Sequence, residues 1–252
     1  MSVDQAWLVV IPARLGSTRL PNKPLQLIAG IPMIARVYQR IASLTAPRTQ
    51  ILVATDAQEI ADICGQLSIP CEMTRSTHTT GTERCGEVAL RHSCRFILNV
   101  QGDEPFIHVN DLKNLMAALE AEASLDIATL AYKSQSKEDF QNPNVVKCVV
   151  SGSEQALYFS RSPIPYYRDP TQAFSFLQHQ GVYAFRRSSL MRFLELARSP
   201  LEECESLEQL RALQAGMNIK IVYAKEKSFG IDTAEDLENA RAMLSPPVSK
   251  RS

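Results

Sequence analysis

The feature that most constrains this chain is an alternation that runs through its first half. Residues 7–12, 50–55, 71–74 and 96–100 are short apolar runs of strand length, and the stretches 34–41, 57–67 and 82–91 between them read as helices. The run Trp7-Leu8-Val9-Val10-Ile11-Pro12 has no polar alternation, which suits a strand buried on both faces. Strands joined through helices by short links require right-handed crossovers, and these build a mostly parallel sheet. A further helix is expected at 109–123. From about residue 126 the rhythm changes. Strand candidates at 127–131, 145–150, 156–159 and 181–185 are separated by turn-rich links, among them Ser162-Pro163-Ile164-Pro165, and read as more antiparallel. Helices at 190–197 and 201–215, a last strand at 219–224 and a short helix after Asp232 follow, and the tail 246–252 is expected to fray. The chain therefore reads as α/β, a single domain over 1–245 with an antiparallel insertion at about 132–187.

Charge narrows the function classes. The 252 residues carry 27 Lys plus Arg against 27 Asp plus Glu, a balance that argues against a nucleic-acid binder or a polybasic membrane protein. The balance conceals an asymmetry. Between Asp4 and Asp56 no acidic residue occurs, while Arg14, Arg19, Lys23, Arg36, Arg40 and Arg48 supply six cations. From Pro200 to Ala240 nine carboxylates face four cations. An anionic ligand near the first segment accounts for this, with Arg36, Arg40 and Arg48 read as solvated helix positions. No run approaches membrane-spanning length, and the apolar run before Pro12 is too short for a secretory signal core. Six scattered cysteines without a C-x-x-C pair read as reduced thiols of a cytoplasmic protein. Cys85, His92 and Cys94 match no zinc-knuckle spacing, and incidental packing is the preferred reading.

In an open parallel sheet, ligands sit beyond the carboxyl ends of the strands. Four segments hold chemistry there. Directly after the first strand, the loop containing Arg14, Gly16, Ser17, Thr18, Arg19 and Lys23 combines three cations with two hydroxyls. It is neither a Walker loop nor a G-x-G-x-x-G turn, which disfavours a P-loop NTPase and an NAD-linked oxidoreductase. It still suits a triphosphate, because guanidinium and ammonium groups neutralise phosphate charge. Val100-Gln101-Gly102-Asp103-Glu104-Pro105 places an aspartate on a tight turn, a natural ligand for Mg²⁺, although such a composition is common in turns. Phe229-Gly230-Ile231-Asp232-Thr233 offers a second carboxylate, or else an N-cap for the next helix. The segment 73–84, with Arg75, His78, Thr80 and Gly81, could read a base edge or simply cap a helix.

These motifs, with VATD, NPNVVK, LYFSRSPIP, HQGVY, LEQLR and GIDTAEDL, occur in an order that resembles the 3-deoxy-D-manno-octulosonate (Kdo) cytidylyltransferases over nearly the whole chain. The related CMP-sialate synthetases typically show a GSKxxxxKN pattern in the opening loop, whereas STRLPNKPL favours the Kdo branch. The resemblance implies a Rossmann-like nucleotidyltransferase fold with a mostly parallel central sheet, helices on both faces and a smaller antiparallel insertion that serves dimerisation. It implies transfer of CMP from CTP to Kdo for lipopolysaccharide synthesis, with Mg²⁺ as cofactor and a homodimer as the assembly. Arg14, Ser17, Thr18, Arg19 and Lys23 match the phosphate-gripping loop, with Arg14 and Lys23 joining Asp103 and Asp232 in catalysis. Arg75, Thr80 and Gly81 match the cytosine-recognition stretch, and Asp103 and Asp232 the metal pair. Gln101, Arg161, His179, Tyr183, Glu208 and Gln209 lie in segments similar to those that bind the sugar acid, with Arg161 as the carboxylate partner. Asn22, Gln180 and Ala234 depart from the family pattern, and Asn22 is expected to tolerate the left-handed turn that glycine makes there. A synthetase for another 2-keto sugar acid and a non-catalytic nucleotide-binding regulator are the alternative readings.

Overall fold

The computed structural model describes residues 5–17, 19–44, 48–169 and 171–244, so Thr18 and the tail 246–252 lie outside the described residues. The order is β1 (Gln5–Ala13), β2 (Leu27–Ile28), β3 (Ile31–Pro32), α1 (Met33–Ile41), β4 (Thr49–Thr55), α2 (Gln58–Gln66), β5 (Cys71–Met73), α3 (Gly81–Arg91), β6 (Cys94–Asn99) and α4 (Val109–Ala121). Then come β7 (Ile127–Ser134), α5 (Lys137–Gln141), β8 (Lys147–Val150), β9 (Ala156–Ser160), β10 (Phe176–Arg186), α6 (Arg187–Glu195), α7 (Pro200–Glu205), α8 (Gln209–Gln214), β11 (Ile219–Ala224) and α9 (Ala234–Leu244).

The central path of the main sheet is β11-β7-β10-β6-β1-β4-β5. β1 runs parallel to β4 and β6, β4 to β5, and β11 to β7. Successive residues of β1 enter opposite layers, as a strand's period of two requires. Trp7, Val9 and Ile11 pack with Ile34, Val37, Ile60 and Leu112 on one face. Leu8 and Val10 pack with Val88, Leu190 and Leu210 on the other. Both faces are thus covered by helices, which explains the unbroken apolar run.

Three sequence expectations are corrected. The strand at 181–185 was placed in the insertion, but it is the end of an 11-residue strand, β10, inside the main sheet and antiparallel to both β6 and β7. Its first half, with polar Gln178, His179 and Gln180, hides it from an apolar scan. The hairpin β8–β9 pairs onto that same half of β10. The helix at 201–215 is two short helices, because Ser206 takes a left-handed conformation at φ 52. Arg36 and Arg40 are not merely solvated: Arg36 donates to the carbonyls of Ile28 (2.5 Å) and Ala29 (3.1 Å), and Arg40 to that of Ile107 (2.8 Å). The free cysteines include four buried ones, and His92 sits on Glu72 at 2.5 Å, turned to a partner other than Cys85 and Cys94.

Candidate active site

A cavity of about 700 Å³ opens at the carboxyl ends of β1 and β6. Two glycines allow its walls to close up. A Cβ on Gly102 would meet the Pro12 carbonyl at 2.9 Å, so only glycine lets the loop after β6 lie against the end of β1. A Cβ on Gly230 would meet Glu104 Oε1 at 2.8 Å, so the segment before α9 can cross the same loop. That crossing is fastened by the Ile231 amide donating to the Asp103 carbonyl at 2.9 Å.

These approaches bring the two ends of the chain together on one charged cluster. Lys23 Nζ donates to Asp103 Oδ2 at 2.5 Å and to Asp232 Oδ1 at 2.8 Å, and Arg19 pairs with Asp232 Oδ2 at 3.3 Å. The lysine is aimed there by its neighbour. Asn22 takes φ 51 and ψ 35, the left-handed conformation expected of it, and starts the one-turn helix on which Lys23 stands. Asp232 is not the cap of α9. Thr233 Oγ1 accepts from the Asp236 amide at 3.1 Å, and Asp236 in turn accepts from the amides of Asp232 and Thr233, which leaves the Asp232 carboxylate free to face Lys23. Burial lowers the Lys23 pKa, but Asp103 and Asp232 outweigh it and hold the ammonium above the usual lysine range.

The opposite wall is built from α3 and the α7–α8 junction. Thr80 closes a capping box with Glu83 at the start of α3, and Gly81 packs there on Pro12 and Gln101. Thr82 Oγ1 donates to Glu208 Oε1 at 2.5 Å and accepts from Asn99 Nδ2 at 3.3 Å, while Gln101 Nε2 reaches Asn99 Oδ1 at 3.3 Å. Glu208 Oε2 and Gln209 Nε2 are buried without a hydrogen-bond partner. Burial pushes the Glu208 carboxyl up, opposed by the hydroxyls of Thr82 and Thr80. Buried polar atoms left unpaired are costly; of the two, Glu208 lines the cavity and Gln209 is not among the lining residues.

The cytidylyltransferase family profile matches residues 8–221. The 3-deoxy-manno-octulosonate cytidylyltransferase of Geobacter metallireducens is 42% identical over 246 residues, covering 94% of this chain and 96% of that relative. The enzyme of the same name from Methylococcus capsulatus is 43% identical over 251 residues, covering 95% and 97%. The chain belongs to the 3-deoxy-manno-octulosonate cytidylyltransferase family. A solved structure described as CMP:2-keto-3-deoxy-manno-octonic acid synthetase complexed with CTP is similar at 40% identity and a TM-score of 0.89, over 95% of this chain and 98% of that one. A 4-diphosphocytidyl-2C-methyl-D-erythritol synthase from Anaerococcus prevotii, 17% identical with a TM-score of 0.62 over 96% of both chains, shares the fold.

For a chain of this family, the cavity collects most of the residues singled out in sequence. Arg14, Ser17, Arg19, Lys23, Thr80, Gly81, Gln101, Asp103, Glu208 and Asp232 all line it. Arg75 does not. Its amide and guanidinium both meet Glu87 on α3, and its side chain is 70% exposed. Arg161 stands apart too. Its guanidinium is taken by backbone carbonyls, those of Glu205 at 2.7 Å, Pro143 at 3.0 Å and Ser206 at 3.4 Å, so it braces the α7–α8 junction. His179 and Tyr183 on β10 meet with their ring centroids 5.5 Å apart and tilted by 48°, and desolvation pushes the His179 pKa down to about 3. That imidazole is neutral at physiological pH, with Nε2 2.9 Å from Thr129 Oγ1.

Sequence reasoning missed several lining residues. Arg84 is buried and pairs with Asp56 at 3.1 Å, tying α3 to the end of β4. Arg198 donates to Thr79 Oγ1 at 3.0 Å across the cavity mouth. Glu202 holds Arg211 through two bonds of 2.8 Å beneath the junction. For Arg198 and Glu202 the one visible signal was the repeat of charged residues between 198 and 211, which reads equally well as a solvated helix.

Proposed function

We propose that this chain transfers CMP from CTP to the anomeric hydroxyl of Kdo, giving CMP-Kdo and pyrophosphate in lipopolysaccharide synthesis. The observation that carries this reading is one cavity with two chemically different walls: paired carboxylates among cations on one side, and the buried, unpartnered Glu208 Oε2 on the other. In the reaction the hydroxyl attacks the α-phosphorus and the bond to the β-phosphate oxygen breaks. Arg14 and Arg19 take up charge on the departing pyrophosphate, and Glu208 orients the sugar by accepting from its hydroxyls.

The resident cofactor in this reading is Mg²⁺. Asp103 and Asp232 offer hard oxygen donors, already brought onto a single cation by the fold and 29% and 49% exposed at their side chains. Among the described residues no group of three or more His, Cys, Asp or Glu forms a metal cage, and two carboxylates suit an ion that keeps water and phosphate oxygens. When bound, the ion supplies Lewis-acid polarisation of the α-phosphate. The reading includes a cytoplasmic homodimer; no helix among the described residues is long and apolar enough to cross a membrane, and Leu157 and Tyr166, 60% and 88% exposed, lie on β9 and the loop after it, the segment that would pair. Light scattering tests the dimer, and a monomer at working concentration excludes it. Pyrophosphate release with CTP and Mg²⁺ across a panel of 2-keto sugar acids tests the reaction. Kdo is expected to give the highest kcat/KM; preference for a nonulosonic acid would move the assignment, and release with none would end it.

A further inference from the structure

Lys23 stands where two chemistries meet. Its ammonium lies 2.5 Å from Asp103 Oδ2 and 2.8 Å from Asp232 Oδ1, on one oxygen of each carboxylate of the pair. A divalent ion bound to those oxygens at about 2.1 Å would overlap the space of the ammonium and repel its charge. The two cations therefore exclude one another. Several features show that Lys23 is held for this position. Its side chain is only 15% exposed, and its turn is set by the left-handed Asn22. The Asp232 carboxylate is not used as the cap of α9, because Thr233 and Asp236 serve there. Arg14 and Gly16, from the same loop, line the cavity that receives the ammonium if it swings outward. The lysine stem has four rotatable bonds, so such a swing needs no backbone change.

We propose that Lys23 is a built-in competitor of the metal, bridging Asp103 and Asp232 until a divalent ion arrives together with a triphosphate that accepts the displaced ammonium. The proposal rests on the metal reading given above. Metal alone must break two charge-assisted bonds with nothing to receive Lys23. Metal accompanied by nucleotide exchanges those bonds for phosphate contacts. The two ligands thus favour each other's binding, and by linkage the effect is reciprocal.

The test is calorimetric titration of Mg²⁺ alone into the full-length protein, its Lys23→Met variant, Lys23→Arg, and Lys23→Met combined with Asp103→Asn. Lys23→Met is expected to bind Mg²⁺ about tenfold to a hundredfold more tightly than wild type, since two charge-assisted contacts no longer oppose it. Asp103→Asn in the same chain should abolish that gain, and Lys23→Arg, which keeps a cation, should stay near wild type. Thermal melts add a second readout: Mg²⁺ should raise the Tm of Lys23→Met and barely move that of wild type. Equal Mg²⁺ affinity in wild type and Lys23→Met, or an equal gain in Lys23→Arg, overturns the competition. Those outcomes leave the metal reading standing as long as Asp103→Asn abolishes pyrophosphate release. Full release by Asp103→Asn would remove the metal reading itself.

Discussion

Asp103 faces Lys23, and next to it in the chain stands a second carboxyl, Glu104, which accepts a hydrogen bond from Ser228. Burial, followed by the charges of Asp103 and Asp232, pushes Glu104 up to about 7. The sign of its effect on stability follows. Unfolded, the group loses its proton above its ordinary value of 4.5, while the folded protein keeps it to about 7. The folded state therefore binds more protons in that window, and stability falls as pH rises through it, by up to about 3 kcal/mol in total. Glu104→Gln should flatten this slope in chelator-treated protein; denaturant melts between pH 4.5 and 8 that keep the wild-type slope would refute it. Asp103→Asn should reduce kcat by about two orders of magnitude or more with Tm held within a few degrees, as expected when an electrostatic contributor is lost rather than a core contact. At this scale the sequence was readable wherever a residue's type is its chemistry. Lys23, Asp103 and Asp232 stand out in motifs, and Asn22 declares its backbone angle. Glu104 does not stand out, because desolvation depends on Gly230 crossing it from the far end of the chain. Arg161 misleads for a related reason: its charge is visible in sequence, while the three carbonyls that absorb it come from two other segments.

The α7–α8 junction carries residues proposed to face the sugar, and a single left-handed residue defines it. Apolar spacing runs on through Leu201, Leu207, Leu210 and Leu213, so a period-based scan sees one helix at 201–215. The break at Ser206 leaves that spacing intact and puts Ser206 and Glu208 on the cavity wall. A non-glycine residue in this conformation costs about 1–2 kcal/mol. Ser206→Gly should therefore raise Tm by a few degrees, whereas Ser206→Val should lower it; identical melting of both would show that the angle is unstrained. Arg161→Ala should loosen the same junction, lowering stability by about 1–3 kcal/mol and raising KM for Kdo more than KM for CTP. A Kdo-specific loss without any change in Tm would instead assign Arg161 direct contact with the sugar. The alternating first half was legible because its inner strands β1, β4 and β6 are buried along most of their length and so read as apolar runs. The strand β10 was not, since its first half, which lies between β7 and β8, is polar.

Across the whole molecule, β10 is the member that makes one body of the sheet, pairing with β6, β7 and β8. Phe159 on β9 is fully buried, with its ring edge-on to His179 at 4.9 Å. Phe159→Ala should cost about 3–5 kcal/mol, and the loss should appear in a single cooperative unfolding transition. Two resolved transitions would show that the hairpin β8–β9 melts apart from the parallel strands. The zero net charge likewise belongs to this scale, since it averages over a cationic opening loop and the acidic stretch 200–240, which meet at Lys23. The bond from Ile231 to Asp103 has a consequence for how the protein is made. Lys23 and Asp103 emerge from the ribosome long before the second carboxylate at residue 232, and β10, which joins the two halves of the sheet, is made between them. In the proposed reading, a product cut short of residue 232 therefore lacks a carboxylate of the transfer centre.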